Sequence, residues 1–360
     1  MQFGIALPTP ADSWRIAKRA EDAGLSTVWF YDTQILSADI FVAMGAAAVT
    51  TKRIQLGTGV LIPSNRIAPV AANGLASLNA LAAGRILAGF GTGYTGRRSM
   101  GLGPHKLAEM DEYIRTVTAL LRGETPEIRI EGKIRKVGFL NPDAGLINIR
   151  DPIPVSISAL GPKARQLAAD LGADWINVNF DEEFSVRSAQ DMDQRYRAAG
   201  HDPSHRRKII WNLGSVLHEG EAHDSARVKA QVGPAAMMVL HDAMEAQSYG
   251  SVAGEFAGSG QPDPALQRLF TEYRALYESY TPPDARYLTL HRGHLMFVRP
   301  DEDRFATADV LRAFTRTGTV AEQRDRIRRL KEAGYDEFVV QVTPGQEEML
   351  DEWARVFEKV

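Results

Sequence analysis

Apolar and polar positions along this chain repeat one phrase. An amphipathic helical stretch closes on a small or acidic residue and then glycine, and a short apolar stretch follows. Glu21-Asp22-Ala23-Gly24 runs into Thr27-Val28-Trp29-Phe30, and Ala82-Ala83-Gly84 into Arg85-Ile86-Leu87-Ala88. Asp170-Leu171-Gly172 runs into Trp175-Ile176-Asn177-Val178, and Glu332-Ala333-Gly334 into Phe338-Val339-Val340-Gln341-Val342. Glycine fits just past a helix because that position often needs positive φ. A tight return into an apolar strand is the αβ half of a βαβ unit. Four further apolar runs, at 3–7, 54–60, 153–158 and 209–216, bring the predicted strands to eight. They read as continuous apolar runs, as strands buried on both faces do. The final helical stretch carries Met349, Leu350, Trp353, Val356, Phe357 and Val360 as an i, i+3, i+4 stripe. Eight strand–helix pairs predict an α/β fold of the closed (β/α)8, or TIM barrel, kind. No Gly-x-Gly-x-x-Gly opens the first βα turn, which disfavours an open dinucleotide-binding sheet.

The phrase is interrupted after strands four and seven. Residues 123–150 read as a hairpin excursion, and residues 219–304 as a longer, mostly helical one with a Gly/Ser-rich tract at 248–260. The expected organisation is thus one barrel domain over residues 1–360 with two insertions. Such excursions serve as lids or substrate walls, or equally as oligomer contacts.

Composition adds mainly exclusions. The 360 residues carry a formal net charge of -3, so no basic footprint for nucleic acid is present. The absence of cysteine excludes disulfides, thiolate metal sites and a cysteine nucleophile. The chain lacks a signal-peptide pattern at its start and an apolar run of membrane-spanning length, so a cytoplasmic protein is expected. Gly-x-Ser-x-Gly, His-Glu-x-x-His and Walker A patterns are also missing.

Candidate chemistry is sought at the C-terminal strand ends, where barrels of this type place their active sites. Strand three ends Gly57-Thr58-Gly59-Val60, and strand four ends Gly89-Phe90-Gly91-Thr92-Gly93-Tyr94-Thr95-Gly96-Arg97-Arg98. Glycines in buried strands mark a bulge or the close approach of another group, either a bound flat ring or simply a barrel corner. Arg97 and Arg98 suit an anionic tail or a solvated face. Strand five ends Ser158-Ala159-Leu160-Gly161-Pro162-Lys163-Ala164. Pro162 reads as the first position of a helix, whose free amides make an anion site, or else as an ordinary turn. His291 and His294, three apart, suit a hydrogen-bonding, acid–base or structural role. No metal site is expected.

The glycine motifs from Gly57 to Val60, from Gly84 to Gly93 and from Ala159 to Ala164 resemble the luciferase-like monooxygenase superfamily, especially its branch containing methylenetetrahydromethanopterin reductase. The resemblance implies a (β/α)8 barrel holding an isoalloxazine-type ring in its mouth. It implies a non-proline cis peptide at Gly59-Val60, beside Thr58, backing that ring. Gly91, Thr92 and Gly93 would flank the ribityl or phosphate region, and Ser158, Ala159, Gly161 and Pro162 would take the phosphate. Two departures stand out. Deazaflavin-dependent sugar-phosphate and alcohol dehydrogenases of the family tend to carry Asp-His at the end of strand two, whereas Asp32 here precedes Thr33. They also carry an acid where this chain has Tyr94.

These departures favour reduced FMN over the 8-hydroxy-5-deazaflavin coenzyme. The first expectation is a two-component monooxygenase acting on a small organic substrate through a flavin hydroperoxide, with a separate flavin reductase. Deazaflavin-dependent hydride transfer, with Arg97, Arg98 and Lys106 lining a groove for the acidic tail, is the alternative. A flavin binder without turnover is the third. Asp32, Tyr94, His291 and His294 are the candidate polar groups facing the reaction, and the family implies a homodimer.

Overall fold

The computed structural model describes residues 1–250 and 264–360. Eight parallel strands close into a barrel: β1 (Gln2–Leu7), β2 (Thr27–Phe30), β3 (Gln55–Thr58), β4 (Ile86–Phe90), β5 (Val155–Ser158), β6 (Asp174–Val178), β7 (Lys208–Asn212) and β8 (Glu337–Gln341). Each pairs with its sequence neighbours, and β8 closes the ring on β1 with Phe3 opposite Phe338 and Ile5 opposite Val340. Helices α1 (Trp14–Asp22), α2 (Ile40–Thr50), α3 (Ala68–Leu81), α4 (Leu107–Leu121), α5 (Pro162–Asp170), α6 (Glu182–Ala198), α7 (Val320–Glu332) and α8 (Met349–Phe357) accompany the strands. The fold is therefore the predicted (β/α)8 barrel.

The local signals act as read. Gly24 and Gly334, at the first and last of the repeated helix exits, sit at φ 82° and 90°. Asp39 caps α2 through the amides of Phe41 and Val42, and Thr319 and Glu322 form a capping box at α7. Alternate residues of each strand face opposite ways. Val28, Phe30, Leu56, Phe90 and Phe338 join the layer between strands and helices. Trp29, Leu87, Ile176, Ile209 and Val339 fill the barrel interior. Each large apolar side chain so buried contributes ~2–3 kcal/mol to folding.

Two predicted strands end earlier than the apolar runs that announced them, and the run at 153–158 pairs only from Val155. The run at 54–60 leaves the ladder after Thr58, although Leu61 returns beside Phe90 and its amide donates to the Gly89 carbonyl at 2.8 Å. The run at 209–216 stops at Asn212. A Cβ on Gly214 would lie 2.2 Å from the Arg316 carbonyl oxygen, and after this crossing Val216–Leu217 pairs with Gly318–Thr319 instead.

Both interruptions of the repeat have their own structure. Glu127–Ile130 and Lys133–Lys136 form an antiparallel hairpin. The later excursion contains helices Ala226–Tyr249, Pro264–Glu278 and Tyr287–Leu290, which pack Val228, Leu240, Tyr273 and Leu290 into a separate apolar cluster with Phe305 and Phe314. Residues 251–260 of the Gly/Ser-rich tract lie outside the described residues. No helix among the described residues is long and apolar enough to cross a membrane.

Candidate active site

A cavity of about 620 Å³ opens at the C-terminal ends of the strands, within the roughly 300–1,000 Å³ usual for small-molecule sites. Its wall is built from residues that immediately follow, or end, the barrel strands. Tyr31 and Asp32 follow β2, Gly59 and Val60 follow β3, and residues 91–96 follow β4. Ser158 ends β5, Val178 ends β6 and Gln341 ends β8. The long helix of the excursion contributes Met238 and Tyr249, so that excursion walls the barrel mouth.

The glycine-rich strand ends divide into two kinds. Gly57 serves the barrel interior: a Cβ there would lie 2.4 Å from the Trp29 ring, so this glycine admits an indole rather than a ligand. Gly59, Gly91 and Gly93 do line the cavity. The Gly59-Val60 peptide is cis, as the resemblance implies. A Cβ on Gly91 would lie 2.5 Å from Val60 Cγ2, so this glycine lets the ends of β3 and β4 pack closely, and with Gly59 it gives the cavity a wall of bare backbone. Gly93 has φ 80° and starts the short helix Tyr94–Arg98. Thr58 is buried below the cavity, its hydroxyl and the Gly89 backbone exchanging hydrogen bonds at 2.9 Å.

At β5, Gly161 is the N-cap of α5 and Pro162 its first residue. The amides of Lys163 and Ala164 have no partner within the helix, and with Ser158, Gly161 and Pro162 both residues line the cavity. The helix dipole and the Lys163 charge make this corner electropositive. Ala159 packs behind it, its amide donating to Ile176 O at 3.1 Å and its carbonyl accepting from Trp175 Nε1 at 2.7 Å.

Asp32 reaches the wall as a buried ion pair. Arg66 Nη1 donates to both carboxylate oxygens at 2.8 and 2.9 Å, and Asn65 Nδ2 adds a bond at 3.2 Å. Burial pushes the carboxyl up, against the pull of Arg66. Tyr94 donates to Asp242 Oδ1 at 3.1 Å and accepts from Arg98 at 3.3 Å. Burial and then the Asp242 charge hold its phenol well above the usual range.

The adjacent arginines part company. Arg98 is buried on the cavity wall, tied to Asp242 at 3.0 Å and to the Gly250 carbonyl at 2.8 Å. Arg97 bonds to the Gly103 carbonyl and does not line the cavity. His291 and His294 do not line it either. They are buried one layer behind, with His294 Nε2 3.1 Å from Thr95 Oγ1. Burial and the neighbouring imidazoles of His291 and His241 hold His294 well below the usual range.

Sequence reasoning missed Trp211, Tyr31 and Gln341. Trp211 stacks on Tyr31 with ring centroids 5.6 Å apart, and Tyr31 donates to Gln341 Oε1 at 2.9 Å. The indole Nε1 of Trp211 is buried without a hydrogen-bond partner. A tryptophan near the end of an apolar strand reads as core. Only the parity of inward-facing positions on β7 could have singled it out.

Residues 2–337 match the family model of luciferase-like monooxygenases, and the chain belongs to that family. It is 27% identical over 275 residues to a 5,10-methylenetetrahydromethanopterin reductase of Methanolobus tindarius, covering 74% of each chain. It is 28% identical over 289 residues to an F420-dependent glucose-6-phosphate dehydrogenase of Beutenbergia cavernae, covering 73% of this chain and 77% of that one. Its fold is similar to that of the coenzyme F420-dependent tetrahydromethanopterin reductase of Methanopyrus kandleri, with TM-score 0.67, 21% identity, and 98% and 97% of the two chains covered. The monooxygenase RslO1 of Streptomyces bottropensis is similar in fold at TM-score 0.64 and 18% identity, over 99% of each chain. The protein is an oxidoreductase of the flavin or deazaflavin type acting on small molecules.

Proposed function

We propose that this enzyme binds an 8-hydroxy-5-deazaflavin coenzyme in the barrel mouth and exchanges a hydride with a small organic substrate. The observation that carries the reading is the cavity at the ends of β3, β4 and β5, which joins a bare backbone cradle to a helix N-terminus. The choice of deazaflavin rests on relatives in sequence, a methylenetetrahydromethanopterin reductase and F420-dependent dehydrogenases that align over about three quarters of the chain.

The residues present fit such a group. The bare backbone that Gly59, Gly91 and Gly93 present to the cavity suits a flat ring, and the unpartnered Trp211 Nε1 is a donor for a ring acceptor. The coenzyme supplies two-electron redox chemistry at its ring. Gly59, Val60 and Gly91 would back the ring, and Thr92 and Gly93 would flank the chain leading from it. Ser158, Gly161, Lys163 and Ala164 would hold the phosphate through the hydroxyl, the backbone amides and the ammonium, with Pro162 fixing the start of the helix. Thr58 and Ala159 would support this wall from behind. Asp32, fixed by Arg66, and Tyr94, fixed by Asp242 and Arg98, would orient the substrate's polar groups. Met238, Leu213 and Leu295 would keep water from the ring.

Oxygenation with reduced FMN from a separate reductase is the second reading. What favours it is that the two expected proton-handling positions carry Thr33 and Tyr94. Parallel titration with deazaflavin coenzyme and with reduced FMN separates the two. Micromolar binding of deazaflavin alone is the expected result, and micromolar binding of reduced FMN alone would overturn the first reading. We further propose a homodimer through α2 and α3, whose Val42, Val49 and Val70 are apolar and exposed. Light scattering at micromolar concentration is expected to give twice the monomer mass.

A further inference from the structure

Behind the cavity wall three imidazoles converge. His241 lies on the excursion's long helix, and His291 and His294 follow the short helix Tyr287–Leu290. All three are buried, and their ring centroids form a triangle with sides of 5.3, 5.3 and 5.8 Å. Their Nδ1 atoms face one another: His294 Nδ1 is 3.1 Å from His241 Nδ1 and 3.4 Å from His291 Nδ1. One nitrogen from each histidine lies within 4.8 Å of the other two.

The outward nitrogens are each engaged. His241 Nε2 is 2.7 Å from Glu302 Oε1, His291 Nε2 is 3.1 Å from Glu245 Oε2, and His294 Nε2 is 3.1 Å from Thr95 Oγ1. The carboxylates at His241 and His291 accept a hydrogen bond from Nε2, a pairing that turns Nδ1 of each ring towards His294 as a potential ligand atom. That is how metal-ligating histidines are oriented. A cation between the three rings would then be met by one nitrogen from each.

We infer that His241, His291 and His294 bind a divalent transition-metal ion of the zinc class through their Nδ1 atoms. A zinc–nitrogen bond of about 2.0–2.1 Å in tetrahedral geometry sets neighbouring ligand nitrogens about 3.4 Å apart, close to the separations found. Imidazole ligands suit zinc, copper, nickel and iron, whereas calcium and magnesium favour oxygen. The site is structural. It does not line the cavity, and through Thr95 it fastens the excursion to the loop after β4 in a chain that has no cysteine to do so. Glu245 and Glu302 are positioning residues that hold the imidazoles. The inference is independent of which coenzyme the enzyme uses.

The test is metal analysis of the untagged full-length enzyme, followed by titration of the chelator-treated protein with Zn²⁺ and with Co²⁺. The expected results are one equivalent per chain, a fall in Tm on chelation that Zn²⁺ reverses, and a ligand-field spectrum of nitrogen-bound Co²⁺. The variant His294→Gln loses the equivalent, and the exposed-surface control His205→Ala keeps it. Glu302→Gln weakens Zn²⁺ binding by about 10- to 100-fold, the cost of losing an outer-shell partner. Failure of the wild-type enzyme to bind either ion saturably, with the buried imidazoles taking up only a proton, overturns the inference. So does undiminished binding to a folded His294→Gln variant.

Discussion

At the scale of single residues, the two groups that say most about the barrel mouth are Asp32 and Trp211. Asp32 is buried and accepts through both oxygens from one nitrogen of the half-buried Arg66, so its removal leaves a guanidinium with the exposed Asp39 as counter-charge. Breaking one side of a fully buried ion pair typically costs ~3–5 kcal/mol, and because Arg66 is only half-buried and keeps Asp39, Asp32→Asn is expected to cost less than that. A urea unfolding midpoint that moves accordingly is expected; an unchanged midpoint would mean that the pair contributes nothing. Trp211→Phe keeps the ring on Tyr31 and removes only Nε1–H. Loss of one hydrogen bond of roughly 1 kcal/mol predicts about a 5- to 10-fold weaker coenzyme Kd with little change in Tm. Coenzyme titration of the variant reads this directly, and equal affinity would take Trp211 out of the site. Asp32 was legible through the family resemblance, which draws attention to the residue at the end of strand two. Its tether to Arg66, 34 residues on, was not, since nothing local encodes it. Trp211 was illegible for the opposite reason, because its neighbours look like any buried strand.

At the scale of elements, what was legible is what local chemistry decides. Gly24 and Gly334 end their helices in the conformation only glycine adopts freely, and Pro162 opens α5 where a missing amide costs nothing. Where β3 and β7 stop was not legible, because contacts distant in sequence decide it: Leu61 rejoining at Gly89, and Gly214 crossing Arg316. The pair His291 and His294 was visible, but their third partner His241 and the carboxylates Glu245 and Glu302 come from separate turns of the excursion.

The tie between α1 and the segment before β3 gives a pH prediction. Glu21 Oε1 accepts from the amides of Lys52, Arg53 and Ile54 at 2.8, 2.6 and 3.1 Å. Burial alone would raise this carboxyl, but the three amides outweigh it and hold it at about 2, below its ordinary 4.5. A carboxyl lowered in the folded state contributes stability above the unfolded value that is lost as pH falls through the folded one. Glu21 therefore contributes on the order of 3 kcal/mol above pH 4.5, disappearing between pH 4.5 and 2. The variant Glu21→Gln is expected to flatten the stability profile in that window. A profile as steep as that of the wild type would contradict the assignment.

At the scale of the whole molecule, the barrel and its two interruptions are different kinds of structure. The strands are buried on both faces, whereas Lys133–Lys136 of the hairpin is exposed along its length. Amide exchange is expected to be slowest in β2, β4 and β7 and fastest, among paired strands, in the hairpin. Hairpin amides as protected as those of β4 would show that it is covered in solution. The later excursion has its own apolar cluster yet gives Met238 and Tyr249 to the cavity, so it shapes the space above the strand ends. The account rests on that space holding a ring coenzyme against the backbone of β3 and β4. A crystal structure of the enzyme grown with the deazaflavin coenzyme tests it most directly. The account predicts density for the ring on Gly59, Val60 and Gly91, with the phosphate at the start of α5. A well-occupied coenzyme bound elsewhere, or a mouth closed by side chains at saturating coenzyme, would contradict it.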